Sequence, residues 1–377
     1  MRFVTPILKG VVYPSVARAR MFRPAVRPGL AVITYHGVLP DGYTPLDPGF
    51  DGSLITAAVF RRQLRFLKSK YNVISPEEMR AWAGGEADLP QRAALLTCDD
   101  GFLSNLTEML PILDEEGLRC LFFVTGMSTG NQRAMLWYEE LLLMFMRAEA
   151  RNFSFSSEGL DLAGILGNRE QRRALWWSAV KKLSRIDADQ RERFLLQAHS
   201  YFGLESTFEF YRRTYSLADR HFSLMIGDEV RRLAAAGMTI GAHTVTHPVL
   251  SQMPPALAWR EIVNSKMQLE SALGKEVWAF AYPFGDPPSV TPPVLAMAQR
   301  AGFEMSFLNV GGGLGAQLSV HAMPRVHVNA EMSLSEFEAH VSGFYESLQR
   351  MFRPNTPEIE ELPESSPMPR SPDLRHA

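Results

Sequence analysis

The sequence has few of the features that mark membrane, disulfide-stabilised or nucleic-acid-binding proteins. Its 377 residues include two cysteines, Cys98 and Cys120, each inside an apolar run, so buried thiols are predicted rather than a disulfide. No apolar run approaches the roughly 18 residues of a membrane-spanning helix. The formal net charge of -2 provides no broad basic field, so nucleic acid is not an expected partner.

The N-terminal arm, residues 1–27, is basic and moderately apolar, but it lacks the clean apolar segment and cleavage site of a signal peptide. Basic and apolar side chains alternate along it, which would allow peripheral contact with an anionic membrane surface. The alternative is an arm that packs on the main domain. The missing signal predicts a cytoplasmic or inner-membrane-associated protein.

Short apolar runs alternate with longer amphipathic segments, which is typical of α/β folds with mostly parallel strands. Seven strand–helix units favour a distorted (β/α)7-type barrel over residues 28–350 rather than an open two-domain sheet. In such barrels the chemistry collects at the C-terminal ends of the strands. The predicted strands are 30–35, 94–98, 120–124, 239–242, 277–282, 304–308 and 323–328.

One region interrupts this alternation. From about residue 135 to 227 the pattern is helical and no strand is predicted, so we interpret it as a helical insertion between two barrel strands. Its aromatic pairs, Trp137-Tyr138 and Trp176-Trp177, are typical of packing residues more than of sugar platforms. Residues 351–377 are rich in Pro, Ser and Glu, which predicts a disordered tail.

Polar residues follow several predicted strands at the point where each strand ends. Because parallel strands bring their C-terminal ends to one face, these side chains are expected to lie together at one end of the barrel, which we call its mouth. They are His36, Asp99, Asp100, His243, His247, Tyr282, Pro283, Phe284, Arg325 and His327.

His243 and His247, in the stretch GAHTVTH, are four residues apart, so one turn of chain puts both imidazoles on the same side. Two imidazoles and a carboxylate suit Zn²⁺ and similar divalent ions. The glutamate of the H-E-x-x-H metalloproteases is missing, which disfavours that class.

The adjacent acids in LLTCDDGF, Asp99 and Asp100, have two interpretations. The first is a solvated turn, since Asp and Gly are common turn residues. The second is a division of roles, in which one carboxylate binds a metal and the other takes a proton from water.

The stretches TCDD and HTVTH together resemble the first two motifs of polysaccharide deacetylases of the NodB type, carbohydrate esterase family 4, which read T-F-D-D and H-S/T-x-x-H. The resemblance implies that Asp99 is the catalytic base. It also implies that Asp100, His243 and His247 bind a divalent metal, usually Zn²⁺. The implied reaction is removal of N-acetyl groups from a sugar or polysaccharide in exopolysaccharide or cell-surface metabolism.

The third motif of that family, R-x-P-Y/F, aligns with residues 281–284, where the first position is Ala281. The arginine that orients the catalytic aspartate is therefore missing. Tyr282, Pro283 and Phe284 remain as groove or supporting residues. Arg325, on another predicted strand, is a candidate source of the guanidinium.

The late L-x-H motif that supplies the family's general acid is not found in its usual place. ITYHGV near the N-terminus resembles that motif in circularly permuted exopolysaccharide-type deacetylases, which implies His36 as the acid, with His327 as the second candidate. Two alternatives stay open: a related amide or ester hydrolase acting on a lipid-linked sugar, and an inactive carbohydrate-binding relative.

Overall fold

The computed structural model describes residues 8–18, 29–44, 46, 51–313 and 318–352. The predicted tail, except for residues 351 and 352, lies outside the described residues, as does much of the N-terminal arm. None of the helices in the described part of the chain has the length and apolar character needed to cross a membrane.

Seven parallel strands close into a barrel, as the sequence predicts. Around the barrel the order is β1-β12-β11-β10-β9-β6-β5, and β5 pairs back with β1 from Leu30↔Ala93 to Tyr35↔Cys98. The short β4 pairs with the beginning of β5, and β6 pairs with its end. The strands are β1 (Leu30–Tyr35), β2 (Gly37–Leu39), β3 (Leu54–Thr56), β4 (Asn72–Ile74), β5 (Ala93–Cys98), β6 (Leu121–Val124), β7 (Asn152–Ser157), β8 (Leu160–Ile165), β9 (Thr239–Ala242), β10 (Ala279–Ala281), β11 (Met305–Gly311) and β12 (Met323–His327).

Helices connect the strands, and several begin at well-formed caps. At Ser75, Asn168 and Asp187 the side chain accepts a hydrogen bond from a backbone N–H of the first turn. The side chain of a Glu or Gln three residues later accepts one from the backbone N–H of the capping residue. Each cap contributes about 1 kcal/mol. The helices are α1 (Tyr13–Arg18), α2 (Ala57–Lys70), α3 (Pro76–Ala83), α4 (Leu110–Glu116), α5 (Trp137–Arg147), α6 (Arg169–Leu183), α7 (Ala188–Phe202), α8 (Thr207–Thr214), α9 (Ala218–Phe222), α10 (Gly227–Ala235), α11 (Pro255–Leu273), α12 (Pro292–Arg300), α13 (Leu334–Val341) and α14 (Phe344–Phe352).

Side chains of the barrel strands alternate between an inner and an outer apolar layer, because successive strand residues point to opposite faces. On β5, Leu95 belongs to the inner cluster with Phe123, whereas Cys98 belongs to the outer cluster beneath the helices. Cys98 and Cys120 are free, buried thiols, as predicted. Counting from Leu95 in steps of two reaches Asp99, which therefore points into the mouth of the barrel.

The insertion predicted at about residues 135–227, between β6 and β9, contains five helices, α5 to α9, and also an antiparallel hairpin of β7 and β8. The prediction of an insertion without strands was therefore wrong in this respect. Phe153 and Phe155 of β7 alternate with exposed residues, which is the period of a half-buried strand. The insertion has its own apolar cluster, which includes Trp137, Phe145 and Phe194.

Residues 8–18 of the N-terminal arm pack on the barrel domain. Tyr13 contacts Ala339 of α13 in a small apolar cluster, and Lys9 Nζ lies 3.1 Å from a carboxylate oxygen of Glu336. This part of the arm adopts the packed alternative. Membrane contact by the arm stays a prediction.

Candidate active site

Asp99 and Asp100 occupy a strained turn at the C-terminal end of β5. The Asp99 N–H donates to the Tyr35 carbonyl at 2.9 Å, so pairing with β1 extends past the strand. Asp100 has a φ of 74°, a left-handed conformation that is uncommon for non-glycine residues and costly to hold. A Cβ at Gly101 would lie 2.9 Å from Val124 Cγ1, so this exit requires glycine.

Asp100 lies beside both histidines of the HTVTH stretch. Its Oδ1 atom is 3.5 Å from His243 Nε2 and 3.2 Å from His247 Nε2, and all three side chains are buried. One donor atom from each lies within 4.8 Å of the others. The Nδ1–H of His243 donates to the Ala281 carbonyl at 2.7 Å, which leaves Nε2 free to bind a metal. This donor set fits a divalent metal ion.

The protonation states of these residues also suit metal binding. Burial alone would raise the pKa of the Asp100 carboxyl, but the adjacent imidazoles of His243 and His247 hold that pKa well below its usual range. Burial lowers the pKa of His247. An ionised carboxylate and a neutral imidazole are the forms in which these side chains act as ligands.

Arg325 of β12 is fully buried and binds Asp99 through two charge-assisted hydrogen bonds, from Nη1 to Oδ1 at 2.7 Å and from Nη2 to Oδ2 at 2.6 Å. Its Nε–H donates to the Leu308 carbonyl at 2.6 Å, which fixes the guanidinium plane. Burial would raise the pKa of Asp99, but the Arg325 guanidinium, together with the nearby His243 and His36, holds that pKa below its usual value. The structure thus brings a guanidinium to Asp99 from β12 rather than from position 281.

His36 and His327 face each other across neighbouring strands, with ring centroids 5.0 Å apart. The ring nitrogens of His327 lie 3.4 Å from Ser53 Oγ and 3.3 Å from Asn309 Nδ2. Burial and the nearby His36 lower the pKa of His327 to about 3. In contrast, the buried Nδ1 of His36 has no hydrogen-bond partner among the described residues.

The predicted groove residues 282–284 divide between the barrel wall and the mouth. Tyr282 packs in the outer layer, and its hydroxyl donates to the His321 carbonyl at 3.3 Å. Its side chain therefore packs in the barrel wall, and its role as a groove or supporting residue stays a prediction. Pro283 is buried, and the ring of Phe284 lies 4.9 Å from that of His247.

Three side chains of the insertion contact the ligand loop, which we define as residues 243–247. The sequence prediction does not include these contacts. The ring of Tyr138 lies 4.9 Å from that of His247. The Nε1–H of Trp137 donates to the Thr246 carbonyl at 2.8 Å, and Nη1 of Arg191 donates to Thr246 Oγ1 at 2.9 Å. From the sequence, Trp137 and Tyr138 are predicted to be packing residues. No sequence pattern marks Arg191.

Part of the chain is similar to a known protein family. The family described as polysaccharide deacetylase matches residues 200–306, which include His243 and His247 but not Asp99 and Asp100. The Bacillus subtilis (strain 168) protein YxkH, named as a polysaccharide deacetylase, is 24% identical over 116 residues, or 31% of this chain and 40% of YxkH. The match thus spans less than half of that relative.

Two solved structures are similar along most of the chain. IcaB from Ammonifex degensii superimposes with a TM-score of 0.52 and 18% identity, covering 84% of this chain and 98% of IcaB. The Streptococcus pyogenes deacetylase PplD, in complex with acetate, gives a TM-score of 0.51 and 15% identity, covering 85% and 99%. At these identities the similarity concerns the fold, which is the predicted α/β barrel.

Proposed function

We propose that this chain, of which residues 200–306 match the polysaccharide deacetylase family, is a metal-dependent hydrolase that removes N-acetyl groups from a sugar or polysaccharide. The observation that carries the proposal is the presence of two separate units at one barrel mouth. One is the donor set of Asp100, His243 and His247, and the other is Asp99, held as a carboxylate by Arg325. A ligand set beside an independent base is the arrangement of a metal-assisted hydrolase.

Asp100, His243 and His247 would hold the metal, and two imidazoles with one carboxylate favour zinc among the divalent ions. Three protein ligands are typical of catalytic zinc sites, since structural sites use four. When bound, such an ion polarises the amide carbonyl and makes water more acidic.

Asp99 is proposed as the general base. Each of its oxygens accepts one hydrogen bond from Arg325 and keeps a second lone pair for a water proton. As Asp99 takes that proton, the water oxygen bonds to the carbonyl carbon of the N-acetyl group. The C–N bond then breaks, which releases acetate and leaves a free amine on the sugar. General base catalysis of this kind contributes about 10²- to 10⁴-fold.

His36 is proposed as the general acid that protonates the departing nitrogen. It follows β1, the strand that pairs with both β5 and β12, and its Nδ1 makes no bond within the described residues. His327 is less suited to the role, because its pKa of about 3 keeps it neutral near pH 7 and Ser53 and Asn309 lie against its nitrogens.

An exopolysaccharide or another cell-surface polymer of N-acetylated sugars is the proposed substrate class. The resemblance of ITYHGV to the permuted exopolysaccharide-type deacetylases supports it. A lipid-linked sugar is the alternative substrate, and a panel of N-acetylated oligosaccharides and lipid-linked glycans, scored for acetate release, separates the two. The inner-membrane location stays a prediction that cell fractionation would check.

The residue roles are tested with Asp99→Asn and His36→Gln in the full chain. We expect both variants to retain zinc, measured by elemental analysis, and to release acetate from N-acetylated oligosaccharides at least about 100-fold more slowly. Full activity in Asp99→Asn would contradict the assignment of the base. A wild-type protein that binds zinc but hydrolyses no N-acetyl group on the panel would support the inactive, carbohydrate-binding alternative.

A further inference from the structure

We propose that Arg191, a residue of the insertion, is a positioning residue for the metal site: it holds Thr246 so that His247 faces Asp100. The proposal rests on the metal-dependent function proposed above. It would make the insertion a part of the metal site rather than an attachment to the barrel.

Thr246, which directly precedes His247, has each of its polar groups bonded. Its N–H donates to Glu261 Oε2 at 2.8 Å, and its hydroxyl donates to Glu261 Oε1 at 2.6 Å. Its hydroxyl oxygen accepts from Arg191 Nη1 at 2.9 Å, and its carbonyl accepts from Trp137 Nε1 at 2.8 Å. Glu261 belongs to the barrel helix α11, so the insertion supplies two of these four bonds.

Arg191 is itself rigidly held. It is 2% exposed, and its Nε and Nη2 donate to the carbonyls of Leu183 and Ile186 at 3.1 and 3.2 Å. The guanidinium lies over the ring of Trp137, 4.6 Å from its centroid. Burial lowers the pKa of Arg191 to about 10, which still leaves it charged at neutral pH. These contacts fix the plane of the guanidinium, and Nη1 is directed toward Thr246.

The ligand needs this support because its backbone is strained. His247 has a φ of 55° and Thr244 a φ of 62°. Such conformations cost about 1–3 kcal/mol each and persist only where surrounding contacts determine them. Within the loop, the N–H of His247 donates to Thr244 Oγ1 at 3.0 Å. Without the bonds from the insertion, the loop can relax and carry His247 Nε2 away from Asp100.

The test compares zinc affinity in full-length Arg191→Met and Arg191→Lys with a matched control, Arg172→Met. Arg172 is also a buried arginine of the insertion, but it donates to the carbonyls of Phe145, Ala148, Leu166 and Gly167, none of which is in the ligand loop. Both methionine variants lose a buried guanidinium, and only one loses a bond to Thr246. Dissociation constants are measured by chelator competition on the metal-free protein, and Co²⁺ absorption spectra report the ligand geometry.

We expect Arg191→Met to weaken zinc binding about 10- to 100-fold and to change the Co²⁺ spectrum, as loss of an outer support of a ligand does. Arg191→Lys should recover part of the affinity, and Arg172→Met should stay within twofold of wild type. Unchanged affinity in Arg191→Met, or equal losses in Arg191→Met and Arg172→Met, would overturn the proposal.

Should Arg191→Met not fold, Trp137→Phe decides the question, because it keeps an aromatic ring and removes the donor to the Thr246 carbonyl. A weakening of at least about threefold supports positioning by the insertion, and wild-type affinity contradicts it. A wild-type protein that binds no zinc would contradict the proposed function instead, a result distinct from any difference between variants.

Discussion

The carboxylate of Asp99 on β5 and the guanidinium of Arg325 on β12 form a buried bidentate ion pair between residues 226 positions apart in the sequence. Strand β1 lies between β5 and β12, so the pair crosses the mouth of the barrel above the strand that leads to His36. A guanidinium that the sequence motif places at position 281 is thus supplied from a different strand. The position of the charged group relative to the carboxylate matters more than the strand that carries it.

Removing the guanidinium is expected to leave a buried carboxylate unpaired. Arg325→Met should lower the free energy of unfolding by about 3–5 kcal/mol, measured in urea, and should raise the pKa of Asp99. Arg119→Met, at an exposed arginine paired with Asp114, should cost less than about 1 kcal/mol. Equal stability of wild type and Arg325→Met would show that the pair contributes nothing.

A guanidinium returned from the motif position should restore part of the function. In Arg325→Met, the added substitution Ala281→Arg is expected to recover activity over the single variant, because Ala281 belongs to the inner cluster of the barrel. The measurement is the rate of acetate release by the single and double variants. A double variant that is folded but no more active than Arg325→Met would mean that an arginine at position 281 on β10 does not reach Asp99.

Loss of one ligand should separate metal binding from base catalysis. Asp100→Asn removes the ligand charge at nearly constant volume, so zinc content, measured by elemental analysis, should fall from one ion to near zero per chain. Chelator treatment should abolish wild-type activity, and added zinc should restore it to wild type but not to Asp100→Asn. If Asp100→Asn and Asp99→Asn lost zinc equally, the division of roles between the two acids would be wrong.

The depressed pKa values of Asp99 and Asp100 predict how stability changes in acid. In the unfolded chain an Asp carboxyl has a pKa of about 3.9. Below that pH the unfolded chain binds protons that the folded carboxylates do not bind. The stabilisation is therefore complete above that pH and is lost as the pH falls toward the folded values. Urea unfolding of the metal-free protein from pH 6 to 3 should show a weaker pH dependence for Asp100→Asn than for wild type. If the unfolding free energies of both proteins changed equally with pH, Asp100 would not be a source of the pH dependence.

A methyl group at Gly312 is expected to displace β12. A Cβ there would lie 2.2 Å from the Cα of Arg325, a contact with backbone that no side-chain rotation can relieve. Gly312→Ala should cost about 2 kcal/mol or more in unfolding free energy and reduce activity, since Arg325 moves with its strand. Gly52→Ala, where the added Cβ meets nothing within 4 Å, is the control and should be close to wild type.

The sequence was sufficient to predict all seven barrel strands and the meeting of their polar ends. Apolar runs bounded by turn residues carry that information locally. The alternation of inner and outer residues also determines which of the residues at the strand ends point into the mouth. Tyr282 follows the register of Phe280 into the outer layer, whereas Asp99 continues the register of Leu95 into the mouth.

Contacts made by the insertion could not be predicted in the same way. Arg191 and Thr246 are 55 residues apart and meet only because α7 packs on the ligand loop. No periodicity or motif encodes that contact. The hairpin of β7 and β8 did carry a signal in the alternation of Phe153 and Phe155, but it lies between strongly helical segments that dominated the prediction.

During synthesis, Asp99 leaves the ribosome well before Arg325, and β12 is the last strand to complete the ring by pairing with β1. Until then the Asp99 carboxylate has no guanidinium, and the growing chain holds a charge with no buried partner. The proposed active site therefore lacks Arg325 on any chain that ends before β12. A nascent or truncated chain that ends before residue 323 would be inactive toward substrate, so the order of synthesis itself delays activity until the fold is complete.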